Sequence, residues 1–305
     1  MTDEVLRLGV VGLGNIGGAI AKNLLEDGYP VSVHDIDPLR VAALSSSGAR
    51  AAASVAELGR EAEITFLSLP TPQVVDAVAT EWLEGSREGS VLVDLSTNAP
   101  ASVRALGARV AARGRCFLEA PLTGGAPGAQ ARLLVFMVGG EVSVYERCRP
   151  ILERLGRAVF HVGPLGLGNV AKLVNSLMAF AATWCSLEGL AVAAKAGLDL
   201  RTMVEIVRAS GAGNVFIDRM VEGINERGRP ASFSLRLAAK DAGLLLELGR
   251  ELGVPLHAFA QISQAFVAAV GAGLGERDFT DIVELAEAQS GARLELPPAR
   301  GRQTA

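Results

Sequence analysis

Glycine stands at positions 12, 14 and 17, directly after a short apolar run and at the start of a helical pattern. The segment reads Gly12-Leu13-Gly14-Asn15-Ile16-Gly17. In a strand–turn–helix the three glycines serve different ends. Gly12 permits the tight turn, Gly14 lets the backbone approach a bulky anion, and Gly17 lets the helix pack close on the strand. The free N–H groups and dipole of the helix start then favour phosphate. Asp35 follows Gly17 by 18 residues and closes the next apolar run. A carboxylate there accepts hydrogen bonds from the ribose hydroxyls of a dinucleotide and repels a 2′-phosphate, which points to NAD ahead of NADP. Arg40 keeps NADP possible, because it lies near enough in sequence to reach such a phosphate. Its plainer reading is a solvent-facing helix residue.

Other residues have the types needed for acid–base or anion-binding work. Lys172 is the only lysine between residues 169 and 194. Set among Val170, Ala171, Leu173 and Val174, it must snorkel to solvent or face a cleft. Asn175, three residues on, shares its helix face. Ser96 and Thr97 end an expected strand, at the edge where open α/β sheets bind ligands; capping the next turn is the competing role for Ser96. Thr123-Gly124-Gly125 offers a hydroxyl and exposed N–H groups suited to a carboxylate, or is an ordinary glycine turn. Lys240 and Asp241 read equally as a surface pair. Gly213, Asn214, Val215 and Phe216 either line a pocket or form a turn between helices.

The elements that must position these residues divide the chain. Leu6–Val11, Tyr29–His34, Glu63–Leu69, Ser90–Leu95, Cys116–Glu119, Leu134–Val138 and Ala158–Val162 read as strands. Helical patterns Asn15–Asp27, Pro38–Ser46 and Val74–Leu83 lie between them. Short apolar runs spaced by helices indicate a mainly parallel sheet covered on both faces. After Gly163 only helical periodicity follows, over Asn169–Ala196, Arg201–Ala209, Val215–Ile224, Leu235–Leu252, Pro255–Ala272 and Thr280–Ala288. The expected architecture is α/β. It comprises a Rossmann dinucleotide-binding domain over 1–163, an all-helical substrate and oligomerisation domain over 164–290 joined by a long helix, and a loose tail over 291–305.

Composition narrows the functions. The 305 residues are 50% hydrophobic and 20% charged, with a net charge of −4. A chain of this balance makes a sizeable core and has no long-range attraction for nucleic acid or anionic membrane. No run is expected to reach the ~18 apolar residues of a membrane span. The acidic N-terminal segment lacks the basic start of a secretory signal, so the expected location is cytoplasmic. Cys116, Cys148 and Cys185 have no metal-ligand spacing and read as core thiols. His34, His161 and His257 are scattered and read as structural, so no metal is expected.

Four further stretches carry a resemblance: Asp94-Leu95-Ser96-Thr97-Asn98-Ala99-Pro100, the run Glu119–Ala129, the run Gly166–Asn175, and the run Phe233–Asp241. With the glycine loop, in this order from about residue 7 to 290, they resemble the β-hydroxyacid dehydrogenases, the family of 3-hydroxyisobutyrate dehydrogenase, tartronate semialdehyde reductase and L-threonate dehydrogenase. The resemblance implies hydride transfer between NAD(P) and a small 3-hydroxy carboxylic acid or its semialdehyde or keto form. It implies that Lys172 is the general acid and base, that Asn175 lies near the reacting hydroxyl, and that Thr97 lies beside the nicotinamide. Leu69 and Pro70 resemble the loop lining the cofactor. Thr123, Gly124 and Gly125, with Ser96, match substrate-binding positions. Lys240 resembles a lysine closing over cofactor and substrate. A homodimer or homotetramer is implied as well, and the apolar content of Asn169–Ala196 and Leu235–Ala272 points the same way. The family commonly has serine where Thr123 stands, a second asparagine where Ser176 stands, and glycine where Arg132 stands. An imine reductase of the same architecture and a non-catalytic nucleotide-binding module are the rival readings; Lys172 argues against both.

Overall fold

The computed structural model describes residues 6–213 and 215–295. It divides into two compact units, 1–173 and 174–305. The division falls inside a helix, ten residues beyond the 163/164 boundary expected from periodicity, because the first turns of that helix are bonded to the sheet.

Among the described residues the first unit is built on nine strands. They are β1 (Leu8–Val11), β2 (Val31–His34), β3 (Arg50–Ala51), β4 (Ile64–Leu67), β5 (Val91–Asp94), β6 (Cys116–Glu119), β7 (Leu122–Thr123), β8 (Leu134–Gly139) and β9 (Gly156–Gly163). Their order is β3-β2-β1-β4-β5-β6-β8-β7, with β9 also on β8. From β3 to β6 every pairing is parallel, whereas β8 runs antiparallel to β6 and β7. β1, β4 and β5 are buried at every position, as strands sandwiched between helical layers must be. The sheet is mainly parallel, as expected; β8 is reversed because only residues 124–133 join β7 to it, fewer than the dozen or more that a parallel crossover needs.

Helices cover both faces: α1 (Gly17–Glu26), α2 (Pro38–Ser45), α3 (Val55–Glu61), α4 (Pro72–Gly85), α5 (Pro100–Ala111), α6 (Gly125–Gln130) and α7 (Val142–Leu155). Local chemistry starts several of them. Asp37 accepts from Leu39 N–H ahead of Pro38, Ser54 from Glu57 N–H, and Thr71 from Val74 N–H ahead of Pro72, the usual capping pattern. One core layer gathers Ile20, Leu24, Phe66, Val93, Leu118 and Phe136. The other gathers Leu58, Trp82, Leu92 and Val110.

The long helix α8 spans Leu167–Lys195. It is apolar and long enough to cross a membrane by length and composition, with a mean hydropathy of 1.5 over its best window, contrary to the expectation that no run would qualify. The second unit continues with α9 (Leu200–Ala209), α10 (Val215–Asn225), α11 (Leu235–Glu251), α12 (His257–Ala269) and α13 (Val283–Ser290), and among the described residues it holds no strand. Its core is a cluster of phenylalanine rings, with Phe180 4.9 Å from Phe266 and 5.4 Å from Phe279. Buried Asp278 accepts from Ser232 N–H and the Thr280 hydroxyl, which ties down the loop before α11. Ala292 and Leu294 are buried, and Leu294 N–H donates to Glu287. The part of the expected tail before residue 296 is therefore anchored; 296–305 lie outside the described residues.

Candidate active site

The glycine loop has the geometry its spacing implies. Gly12 has φ +87°, and a Cβ there would collide with the Ser68 carbonyl; a Cβ on Gly17 would collide with the Gly12 carbonyl. Gly14 is different. A Cβ there would meet nothing closer than Arg40 Nη1 at 4.0 Å, so the space above it is open. Two glycines close the turn and one keeps room for an anion at the start of α1. These residues fit a dinucleotide pyrophosphate. Leu13 is buried, Asn15 is exposed and Ile16 is half-buried.

Asp35 is half-buried, with its side chain largely covered and already bonded. It accepts from Leu13 N–H at 2.6 Å and from Asp37 N–H at 2.8 Å. Arg40 lies 3.6 Å from its carboxylate and 3.3 Å from that of Asp37. The guanidinium is thus directed at the two acids that follow β2. Beside them, Ile36 and Leu39 are 98% and 78% exposed, an open apolar pair next to the acid expected to meet the ribose.

The C-terminal ends of β4, β5 and β6 converge. Leu69 N–H donates to the Ser96 hydroxyl oxygen at 3.0 Å, so the Leu69–Pro70 loop is braced on the segment carrying Thr97. Ser96 is buried and Thr97 half-buried. Below them Asp94 accepts from Ser96 N–H at 3.0 Å and from Asn98 Nδ2 at 2.5 Å. Glu119, opposite Asp94 in the parallel register, accepts from Gly168 N–H at 3.1 Å, Asn169 N–H at 2.9 Å and Asn169 Nδ2 at 2.6 Å, as well as from Gly166 N–H. Asn169 Oδ1 in turn accepts from Asn98 N–H at 2.7 Å. Asp94, Asn98, Glu119 and Asn169 are all buried. None received a role from the sequence, although an acid closing an apolar strand (VLVD, CFLE) is a visible signal.

Burial raises the Asp94 carboxyl to about 6 against hydrogen bonds from Ser96 and Asn98, and the charge of Glu119 pushes the same way. Burial also raises Glu119, against the N–H groups of Asn169, Gly166 and Gly168.

Thr123 ends β7, an edge strand paired with β8. Gly124 and Gly125 follow with φ +127° and +63°, so their N–H groups are aimed by conformations that side chains rarely adopt. Lys172 is half-buried on the second turn of α8, with Asn175 half-buried one turn further and Ser176 buried. Lys240, on α11, is 3.0 Å from buried Asp241, and its side chain is 20% exposed, which disfavours the alternative reading of a surface pair. Arg132 has φ +59° and both Asp27 carboxylate oxygens within 2.9 Å, which explains how arginine is held where the family has glycine. Val215 is exposed and Phe216 half-buried; Asn214 lies outside the described residues. His34 and His161 bond backbone carbonyls. Cys148 is buried but Cys185 is exposed, correcting the core reading for the latter, which sits on an outward face of α8. Among the described residues no group of three or more His, Cys, Asp or Glu is placed to hold a metal ion.

A doubly wound sheet with a glycine loop open to pyrophosphate defines a dinucleotide-dependent enzyme. Residues 7–163 match the family model for the NAD binding domain of 6-phosphogluconate dehydrogenase. Residues 166–286 match that for the NAD-binding domain of NADP-dependent 3-hydroxyisobutyrate dehydrogenase. The chain is 34% identical to 3-hydroxyisobutyrate dehydrogenase of Pseudomonas aeruginosa over 297 residues, covering 93% of this chain and 98% of that protein. It is 32% identical to 2-(hydroxymethyl)glutarate dehydrogenase of Eubacterium barkeri over 293 residues, covering 95% and 97%. The solved structure of Mycobacterium tuberculosis 3-hydroxyisobutyrate dehydrogenase with L-serine matches with a TM-score of 0.84 at 26% identity, covering 92% of this chain and 99% of that one. The chain belongs to the β-hydroxyacid dehydrogenases, the family of 3-hydroxyisobutyrate dehydrogenase, whose chemistry is hydride transfer between NAD(P) and small hydroxy acids.

The raised Asp94 carboxyl has a consequence for stability. A carboxyl raised in the folded state favours folding below its unfolded value near ~3.9, and that contribution is lost as pH rises through about 6. Asp94→Asn is therefore expected to gain on the wild type by roughly 1 kcal/mol between pH 5 and pH 7.5, whatever its offset at pH 5. Urea unfolding at both pH values measures this; a pH-independent difference contradicts it.

Proposed function

We propose that the chain is an NAD-preferring dehydrogenase of 2-substituted 3-hydroxypropanoates, with Lys172 as the proton-transfer group. The observation that carries this reading is the anchoring of Lys172. It sits one turn beyond Asn169, which is bonded to the ends of β5 and β6 through Asn98 and Glu119, and these ends form the ligand-binding edge of such a sheet. The substrate class rests on chemistry shared by the relatives. 3-Hydroxyisobutyrate, 2-(hydroxymethyl)glutarate and the L-serine of the mycobacterial complex all carry a primary hydroxyl two carbons from a carboxylate.

In this reading the glycine loop from Gly12 to Gly17 and Asp35 hold the dinucleotide, and Leu69, Pro70 and Thr97 flank it. A bound nicotinamide supplies the hydride chemistry. Lys172 takes the substrate hydroxyl proton in oxidation and returns it in reduction. Asn175 orients that hydroxyl. Thr123 and the N–H groups of Gly124 and Gly125 receive the carboxylate. Ser96 braces Leu69 and keeps its hydroxyl hydrogen to donate. Lys240, steadied by Asp241, supplies a positive charge for substrate or cofactor.

Lys172→Ala is expected to lower kcat at least ~100-fold with NAD affinity nearly unchanged, the range of general acid–base catalysis. Lys172→Arg should not rescue it, because a guanidinium stays protonated. A folded, NAD-binding Lys172→Ala protein retaining more than about a tenth of wild-type kcat contradicts the assignment. A screen of 3-hydroxyisobutyrate, glycerate, threonate and serine finds the substrate for this comparison.

Asp35 and Asp37 hold Arg40 between them, so kcat/KM is expected to be higher with NAD than with NADP. A higher value with NADP would make Arg40 the determinant instead.

We also propose assembly as a homodimer or homotetramer through the helical unit. Val174, Met178 and Val192 are 40%, 64% and 71% exposed on one stripe of α8, an apolar surface of the kind that subunits cover. Light scattering at micromolar concentration is expected to give a multiple of 31.6 kDa; the monomer mass would refute this.

A further inference from the structure

We propose that Glu119 is a positioning residue for Lys172, acting through Asn169 and Asn98 to hold the first turns of α8 in register with the strand end that bears Thr97. The proposal rests on the assignment of proton transfer to Lys172 and adds to it the device that places the lysine.

A helix start leaves four N–H groups without partners. The residue just before the helix usually meets one of them. In α8 the Gly168 and Asn169 N–H groups go instead to Glu119 of β6, some 50 residues earlier. One Glu119 oxygen takes Gly166 and Gly168 N–H; the other takes Asn169 N–H and Nδ2. Such charge-assisted bonds are strong and directional. The surrounding residues admit nothing bulkier. A Cβ on Gly168 would stand 2.9 Å from the Glu119 carboxyl carbon, and a Cβ on Gly139 would collide with a Glu119 oxygen.

Asn169 is the relay. Its side-chain N–H donates to Glu119 while its oxygen accepts from Asn98 N–H. Asn98 then reaches Asp94. Helix start 166–169 and strand end 94–98 therefore share one buried chain of hydrogen bonds. Lys172 follows Asn169 by three residues, one turn of helix, so its backbone position is set by that chain.

Stability alone does not call for this arrangement. Asp94 and Glu119 are opposed acids on neighbouring strands, both buried and both raised by burial. Like charges opposed in a sheet are destabilising, and a well-packed apolar pair of similar volume often serves folding as well or better. What two acids and two amides provide is a fixed geometry between two backbone segments far apart in sequence.

The experiment compares wild type, Asn169→Ala and Glu119→Gln in the full chain, with Asn169→Ser as the milder variant should either fail to fold. Backbone hydrogen exchange is followed over 95–99 and 166–173, with β1 as reference, alongside NADH affinity and steady-state kinetics. Exchange is expected to quicken in both segments and not in β1. With NADH affinity within about threefold, kcat should fall roughly tenfold or more, since displacement of a reacting group by an ångström can cost ~100-fold. Quickening confined to 166–173 would overturn the relay. Folded variants with wild-type kcat would overturn the positioning role. Should the wild type oxidise none of the hydroxyacids, the Lys172 assignment fails and the exchange comparison alone decides the coupling.

Discussion

One buried carboxylate sets the geometry on which the rest of the first unit's chemistry depends. Glu119 ends β6 and binds three backbone N–H groups and one side-chain amide at the start of α8. A buried acid is costly unless its hydrogen bonds are fulfilled, and here they are fulfilled by one partner segment only. The helix start can therefore dock in one way. Thr97, on the neighbouring strand end, is tied to the same point through Asn98. On the proposed reading, Lys172 exchanges a proton with the substrate and must be held to within a fraction of an ångström, and this network supplies that restraint.

The nucleotide-binding loop shows the same economy of parts. Asp35 holds Leu13 N–H and Asp37 N–H as well as facing Arg40. It shapes the glycine turn before any ligand arrives. Gly14 leaves open the space that Gly12 and Gly17 surround with close contacts. Preorganisation of this kind means that little of the binding energy is lost to ordering the loop.

Much of this was legible in the sequence because it obeys local rules. Apolar runs marked β1, β2, β4, β5, β6, β8 and β9 to within about two residues, and the glycine spacing marked the loop. The shortest elements were missed. β3 and β7 have two residues each, too few to show a period, and α6, GAPGAQ, contains the residues that usually break helices. The direction of β8 was hidden because strand orientation depends on which segments meet, not on their composition. The Glu119 network was missed for a related reason. Its bonded partners are separated by up to 71 residues, and a lone acid at the end of a strand looks solvated until its partners are known. Lys172 showed the opposite case. Its own residues left it between solvent and a cleft, and the family motif carried the assignment.

Proton transfer by Lys172 is the central claim, and chemical rescue tests it most directly. The measurement is the rate of hydroxyacid oxidation by the Lys172→Ala protein in the presence of small primary amines of graded basicity. The account predicts a saturable recovery of activity that depends on amine basicity, because a free amine can occupy the vacated place and accept the proton. A variant that binds NAD normally yet has the same residual rate with and without every amine would contradict it.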